Sequence, residues 1–218
     1  MKGLFMKDLG LVKGQKQFFG IILIMMMIFM TAYTNFAFIM AYITIMIGVL
    51  TLNTISYDEF ENGMGYLFTL PVSRKEYVAE KYLFSIVTTL PGLAAVSVFS
   101  FVFSRIREIE FSVGEWALSV VISFLLVTVV LAVIIPLQLK FGADKSRVAL
   151  MIVWGIGIMA VYLGIKVCEA FGINWEGAIE WIYGMKPAVS LAGITVICGI
   201  LMAISYLISV QFIEKREF

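Results

Sequence analysis

A compact group of charged side chains interrupts the apolar chain between residues 57 and 76. The group is acidic at its start and mixed in sign at its end, and its members are Asp58, Glu59, Glu61, Arg74, Lys75 and Glu76. Side chains of these types can form ion pairs with a partner protein. Catalysis or metal binding is not expected of them, because the chain has no histidine, the commonest general base and metal ligand. We therefore predict that residues 58–76 contact another protein.

The motifs of common active sites and nucleotide sites are absent from the sequence. It has no G-x-x-x-x-G-K-[ST] phosphate loop, no H-E-x-x-H zinc motif, no C-x-x-C pair and no G-x-S-x-G nucleophile motif. Cys168 and Cys198 stand apart and suit ordinary apolar positions. The sequence thus predicts no catalytic residue, metal or cofactor on this chain. The net charge of +1 gives no reason to expect a nucleic-acid partner.

The composition is that of a membrane protein. Of the 218 residues, 61% are hydrophobic and 14% are charged, and the mean hydropathy is +1.00. Soluble domains are about 45–50% apolar and about 25% charged. We predict an all-α polytopic protein with one transmembrane domain, residues 1–218, and no separate soluble domain.

Six apolar segments are long enough to cross a bilayer. Residues 18–57 contain no charge, and as one helix they would be about 60 Å long, roughly twice the hydrocarbon core. We place a tight turn in the polar cluster at 31–35, which divides this segment in two. The predicted spans are about 18–33, 36–56, 82–104, 116–139, 148–165 and 187–213.

Segments outside the spans mix apolar and charged residues. Residues 1–17 carry lysines with apolar residues at helical spacing, which predicts an amphipathic interfacial helix. Residues 166–186 are too polar to span and rich in aromatics, which predicts a re-entrant or interfacial segment on the outer face. Residues 140–147 read as a short basic loop, and Pro91 predicts a kink in span three.

The distribution of positive charge predicts the orientation. If the N-terminus is cytoplasmic, the inner segments 1–17, 58–81, 140–147 and 214–218 hold most of the 16 lysine and arginine residues. Positive residues are enriched on the cytoplasmic side of membrane proteins. Six spans then return the C-terminus to the cytoplasm, and residues 58–76 lie on the same side.

Residues 58–70 have the pattern of a short amphipathic helix. Ser56 and Glu59 fit a capping box, which would place the acids in a first turn, where the helix dipole favours them. Pro71 ends the segment. One apolar face recurs at helical spacing: Phe60, Met64, Leu67 and Phe68. Periodicity alone leaves open whether this face meets a protein groove or only the lipid surface.

A second capping-box pattern, Ser73 and Glu76, starts the next helix. That helix continues through Glu80 and Lys81 into span three, so a displacement of the short helix would be passed to the span. No charged residue lies in the middle of a predicted span. This disfavours a proton-driven carrier, although uncharged groups could still bind sodium.

The loop between spans two and three resembles that of the membrane subunits of type-2 ATP-binding-cassette exporters. The residues that carry the resemblance are Asp58, Glu59, Asn62, Gly63, Leu67, Leu70, Pro71, Val72, Ser73, Arg74, Lys75, Glu76 and Tyr77. The six spans and the basic N-terminal segment are similar to the same family. The start, residues 1–9, looks like small bacterial members, above all permeases that export amphipathic peptides of the phenol-soluble modulin type.

This resemblance implies that residues 58–70 are a coupling helix, seated in a groove of a separate ATPase subunit that holds ATP and magnesium. The acids would pair with basic groups of the ATPase, the apolar face would fill the groove, and the remaining residues would fix the turn into span three. The implied interface residues are Asp58, Glu59, Phe60, Glu61, Met64, Leu67, Phe68, Pro71, Arg74, Lys75 and Glu76.

The resemblance further implies an exporter of two permeases and two ATPases in the bacterial plasma membrane. The second permease would be another copy or a related chain, and the cargo an amphipathic peptide or other apolar compound. Other function classes remain open from the residues. An ion-coupled carrier or channel would work without an ATPase, and a membrane-embedded hydrolase or transferase would need a buried catalytic group, which we do not find.

Overall fold

The computed structural model describes residues 2–33, 35–60, 63–109, 112–170 and 187–216. Within these ranges all regular structure is helical and there is no strand. The helices are α1 (Lys2–Gly14), α2 (Lys16–Ala32), α3 (Phe36–Glu59), α4 (Gly63–Leu67), α5 (Arg74–Ile106), α6 (Val113–Ala170) and α7 (Pro187–Lys215).

Five helical segments are long and apolar enough to cross a membrane by themselves. They are Phe36–Glu59, Arg74–Ile106, Val113–Gly142, Val148–Glu169 and Val189–Lys215. Helices α1 and α2 together form a sixth candidate, bent by 60° at their junction. The predicted all-helical, multi-pass architecture is therefore confirmed. The side of the membrane that each terminus faces stays a prediction, and of the predicted segment 166–186, residues 171–186 lie outside the described part of the chain.

Helix α3 is the central element, and it packs against both α5 and α6. Its length is lined with fully buried apolar side chains, among them Ile39, Ile43 and Ile55. Helix α5 runs unbroken through Pro91, and the glycine after it allows a close approach to α3. A Cβ on Gly92 would lie 2.7 Å from Cδ1 of Ile47, which is too close for any other residue without rearrangement.

Helix α6 consists of two helical segments that meet at Gly142. We expected a basic loop over residues 140–147, but the backbone there is helical apart from this one residue. Gly142 has φ 77° and ψ 173°, a region that is essentially open only to glycine. The glycine therefore makes the turn by itself, which explains why no longer loop is needed.

Hydrogen bonds also connect the helices of the bundle to one another. The Tyr82 hydroxyl of α5 bonds to Ser205 at 2.5 Å and to Ser209 at 2.9 Å, both on α7. At the opposite end of α5, the Arg107 guanidinium donates to the carbonyl of Met30 at 2.9 Å and to that of Thr31 at 3.2 Å. It thereby satisfies carbonyls that the last turn of α2 leaves unpaired.

Candidate functional site

The acidic start of the 57–76 stretch belongs to the end of α3. The hydroxyl of Ser56 donates to the carbonyl of Leu52 at 3.0 Å inside the helix, and Phe60 is the C-cap. Our prediction that Ser56 and Glu59 form a capping box is thus wrong. The dipole at a helix C-terminus disfavours acids, but here lysines and an arginine from other helices compensate for it.

Helix α4 is shorter than the predicted 58–70 segment and spans only Gly63–Leu67. Beyond it the chain turns through hydrogen bonds from Phe68 N to the Met64 carbonyl and from Thr69 N to the Tyr66 carbonyl, both 3.1 Å. A Cβ on Gly63 would lie 2.8 Å from the carbonyl oxygen of Asp58, so glycine permits α4 to fold back against the end of α3. The predicted interface residue Glu61 lies outside the described residues.

The second capping box is present as predicted, and it starts α5. The backbone N–H of Glu76 donates to the Ser73 hydroxyl oxygen at 3.2 Å, and the Ser73 N–H donates to a Glu76 carboxylate oxygen at 3.0 Å. With 33 residues, α5 is about 50 Å long, which exceeds the roughly 30 Å hydrocarbon core. The helix is therefore long enough for its first turn, with Arg74, Lys75 and Glu76, to extend beyond the hydrocarbon.

The Asp58 carboxylate is 7% exposed and is bound by three side chains of its own chain. Lys81 Nζ lies 2.8 Å from one oxygen, the Tyr77 hydroxyl donates to the same oxygen at 3.1 Å, and Lys7 binds the other. The structure thus uses Asp58 to join α1, α3 and α5. We had expected Asp58 to reach basic groups of an ATPase, and in this conformation it faces inward instead.

Glu59 joins α3 to the ends of two other helices. Its carboxylate receives a hydrogen bond from Arg216 at 2.7 Å, and the same arginine donates to the carbonyl of Leu139 at 3.0 Å. Gly142 is so close that a Cβ there would lie 3.3 Å from the second Glu59 oxygen. Glu59 therefore lies where α3, the turn of α6 and the end of α7 meet.

Arg74 and Lys75 at the start of α5 hold the end of α7. The Arg74 guanidinium donates to the carbonyls of Ile213 at 3.0 Å and Glu214 at 2.5 Å, and it lies 5.7 Å from the ring centroid of Phe68. Lys75 Nζ lies 3.7 Å from the Glu214 carboxylate. Cations at a helix C-terminus are favourable, because they offset its partial negative charge.

The four predicted groove residues do not share one outward face. Met64 and Leu67 are buried in the core at this end of the bundle, and Phe68 packs edge-to-face on Tyr77. Only Phe60, at 71% exposure, points outward. The prediction of a single face is wrong because α3 ends before Phe60, so the residues do not share one helical phase. Pro71, after the turn, is exposed.

Two further apolar side chains of the junction are exposed like Phe60. Tyr66 is 73% exposed and Leu70 is 48% exposed. The sequence pattern did not reveal them, because a continuous 58–70 helix would have given them a different phase. We call Phe60, Tyr66 and Leu70 the outer strip of the junction.

A group of charges beneath the junction, all buried except the partly exposed Lys7, was also missed. Its members are Lys7, Asp8, Asp58, Glu80 and Lys81, and we call it the buried charge cluster. Lys81 is fully buried, binds Asp8 and donates to the Thr54 hydroxyl at 3.2 Å. One signal was readable: Asp8 follows Leu4 by four residues, and so lies on the buried face of α1 rather than among its exposed lysines.

The family model described as ABC-2 family transporter protein matches residues 3–214 of this chain. The match covers nearly the whole chain, including every helix of the junction. No curated protein and no solved structure matches it.

Proposed function

This chain belongs to the ABC-2 transporter family, and from that premise we propose that the junction at the end of α3 receives the motion of a separate ATPase. Members of the family are multi-pass membrane components of transporters in the bacterial plasma membrane, and the family implies an ATPase partner. The finer assignment, an exporter permease driven through residues 58–76, is our proposal.

The observation that carries the proposal is the outer strip above a tightly bonded junction. Phe60, Tyr66 and Leu70 are exposed on a segment that also carries the charged side chain of Lys75, 69% exposed. Large aromatic side chains with a charged rim are typical of protein interfaces. Asp58 and Glu59, which we first assigned to the partner, bind other helices of the same chain.

This bonding supplies a mechanical route from the strip to the transmembrane helices. Asp58 is bound to α1 and α5, Glu59 to α7, and Arg74 to the end of α7. A push on the strip is therefore transmitted to all these helices together. In the proposed cycle, closure of the ATPases moves the junction and rocks one permease against a second permease, either another copy or a related chain.

The proposed cargo is an amphipathic peptide or another apolar compound. Two cavities support an uncharged, mainly apolar path. One of about 370 Å³ lies between α3 and α6, with Asn53 and Gln138 among apolar walls. The other, of about 440 Å³, lies between α2, α3 and α5 and is lined almost wholly by apolar residues such as Phe19, Met26 and Phe99.

The experiment that tests the proposal is co-purification of the full chain with a candidate ATPase subunit, followed by measurements of transport and ATP hydrolysis in proteoliposomes. Tyr66→Asp should leave membrane insertion intact but abolish ATPase binding and transport. Ile106→Asp is the matched control, because Ile106 is 72% exposed at the other end of α5. Normal transport by Tyr66→Asp would contradict the proposal, and transport by the purified chain without any ATPase would favour an ion-coupled carrier or channel.

A further inference from the structure

The cavity of about 370 Å³ between α3 and α6 combines apolar walls with several polar side chains. It lies in the angle between the two segments of α6, and α3 closes its other side. Its polar walls are Asn53, Ser56, Gln138 and Ser146, and its apolar walls include Leu150 and Met151. Pockets that bind small ligands typically have volumes of about 300–1,000 Å³ and a few placed polar groups among apolar walls.

Gln138 is the polar wall whose orientation the contacts determine. Its side chain is 3% exposed, and its Nε2 donates to the Leu52 carbonyl at 2.7 Å and to the Ser56 hydroxyl oxygen at 2.8 Å. A backbone carbonyl can only accept a hydrogen bond, so the nitrogen of the amide must face α3. The amide oxygen Oε1 therefore faces away from these two contacts.

Two amide oxygens of this cavity receive no hydrogen bond from the described residues. One is Gln138 Oε1, and the other is Oδ1 of Asn53, whose Nδ2 donates to Gln15 Oε1 at 3.4 Å. Gln138 Oε1 is not among the sealed unpaired oxygens of the described chain, so it reaches the cavity that Gln138 lines. An amide oxygen in apolar surroundings is unfavourable without a donor. A ligand that brings N–H groups would therefore be stabilised here.

We propose that this cavity binds a short apolar peptide segment through its backbone N–H groups. The N–H groups donate to Gln138 Oε1 and Asn53 Oδ1, and the side chains of the segment pack on Leu150 and Met151. This assignment rests on the proposed function, in which the cargo is an amphipathic peptide or another apolar compound. It adds which group of the cargo is bound and which residues bind it.

A peptide backbone supplies the donors that the two oxygens lack. Each residue other than proline carries one N–H, and the first four N–H groups of a helical peptide have no partner within the helix. Apolar surroundings make such unpaired groups costly, so an acceptor there is favourable. A fatty acid fits less well, because it has no N–H and would bring carboxylate oxygens towards two acceptors.

The cavity also lies where a cargo from the cytoplasm would enter. Asn53 and Gln138 stand near the ends of predicted spans two and four, on the side that the charge distribution predicts to be cytoplasmic. The residue after Gln138 is Leu139, whose carbonyl accepts from Arg216 at the junction. A peptide held here therefore lies beside the structure on which the ATPase is proposed to act.

Isothermal titration calorimetry of the purified full chain in detergent, without any ATPase, tests this proposal with two matched probes. One is N-acetyl-trileucine methylamide. The other is its depsipeptide counterpart, in which ester oxygens replace the backbone N–H groups. The unaltered chain should bind the first about tenfold more tightly, and Gln138→Met should abolish that preference. Gln17→Met, which replaces an exposed glutamine of α2, is the matched control and should keep it.

A second variant separates loss of the site from loss of the fold. Met151→Trp keeps both amides and fills the cavity from a side chain that is 73% exposed, so it should abolish binding of the peptide while melting close to the unaltered chain. Tyr66→Asp should bind the peptide normally, so failure of the ATPase contact and failure of the peptide site give different results.

Three outcomes would overturn the peptide assignment. They are equal binding of the two probes by the unaltered chain, no binding of either probe, and an unchanged preference in Gln138→Met. Peptide binding that persists in Met151→Trp would place the peptide elsewhere on the chain and overturn it as well. Oleate that binds in a Gln138-dependent way, where the peptide does not, would assign the cavity to lipid instead.

Discussion

Lys81 of α5 and Asp58 of α3 form a buried ion pair, with Nζ 2.8 Å from a carboxylate oxygen. The lysine is fully buried and the aspartate nearly so. Removing one partner of such a pair leaves an uncompensated charge in a medium that solvates it poorly. This relationship makes the junction at the end of α3 a fixed structure rather than a free loop, and it yields predictions about stability as well as function.

The ion pairs of the buried charge cluster predict unequal effects of removing its members. Lys81→Met leaves Asp8 and Asp58 with Lys7 as their one ammonium, and it should lower the free energy of unfolding by about 3–5 kcal/mol. Asp58→Asn leaves Lys81 paired with Asp8 and should cost distinctly less. Denaturant titration of the detergent-solubilised chain measures both.

Lys75→Met is the control for the loss of a lysine, because Lys75 is 69% exposed and its pair with Glu214 is a surface contact. Surface ion pairs contribute about 0–1 kcal/mol. If Lys81→Met were no more costly than Lys75→Met, the cluster would not be a stabilising element. If Asp58→Asn were the more costly of the cluster variants, Asp8 alone would not be sufficient to hold Lys81.

The pair of Glu59 and Arg216 predicts a rescue by charge exchange. Glu59→Arg places two guanidinium groups side by side and should separate ATP hydrolysis from transport, because the ends of α3 and α7 no longer move together. The double variant Glu59→Arg, Arg216→Glu restores opposite charges and should recover a substantial part of transport. Transport per ATP hydrolysed, in proteoliposomes with the ATPase, is the measurement.

Membrane insertion should be equal in both variants and in the unaltered chain. A simple loss of fold would lower the yield of Glu59→Arg, and the exchange would not recover transport selectively. Failure of the double variant despite normal insertion would show that the orientation of the pair matters. In that case the hydrogen bond from Arg216 to the Leu139 carbonyl of α6, rather than the charge pair with Glu59, would hold the end of α7.

The helical class and the start of α5 were readable from the sequence because both depend on local information. An apolar composition by itself predicts membrane helices. Ser73 and Glu76 cap a helix through contacts within four residues. The end of α3 was not readable. Lys7 lies 51 residues from Asp58, and nothing in the local pattern shows that this distant lysine will offset the helix dipole and let α3 continue.

The same non-local contacts decided which junction residues face outward. Hydrophobic periodicity identified Met64 and Leu67 as one face but could not say what that face would meet. The fold supplies Tyr77 and other buried apolar residues of this end of the bundle as their partners, and so leaves Phe60 and Tyr66 for the surface. An apolar face beside a membrane bundle can be buried inside the bundle or exposed on its surface. Only the tertiary arrangement determines which of the two occurs.

The close approach at Gly92 predicts a compensating pair of substitutions. Gly92→Ala would bring a methyl group to 2.7 Å from Ile47 Cδ1, and this overpacking should cost about 1–3 kcal/mol. Ile47→Ala in the same chain removes the clashing atoms, so the double variant should be less destabilised than the two single effects added together. Gly157→Ala is the control, because nothing lies within 4 Å of its Cβ position. Strict additivity would mean that α3 and α5 do not touch here.

The backbone of Gly142 predicts the sharpest contrast between two glycines of one helix. Gly142→Ala must place a side chain at φ 77°, ψ 173°, which costs on the order of 1–3 kcal/mol, and its Cβ would press against the Glu59 carboxylate. Gly155→Ala lies in the regular part of α6 with open space around it, and should stabilise the helix by about 0.5–1 kcal/mol. In denaturant titrations, the unfolding midpoint should therefore fall for Gly142→Ala and rise for Gly155→Ala.

Because Glu59 also holds Arg216, Gly142→Ala should reduce transport per ATP hydrolysed as well, whereas Gly155→Ala should not. Equal stability of the two variants would show that the two segments of α6 meet at some residue other than Gly142.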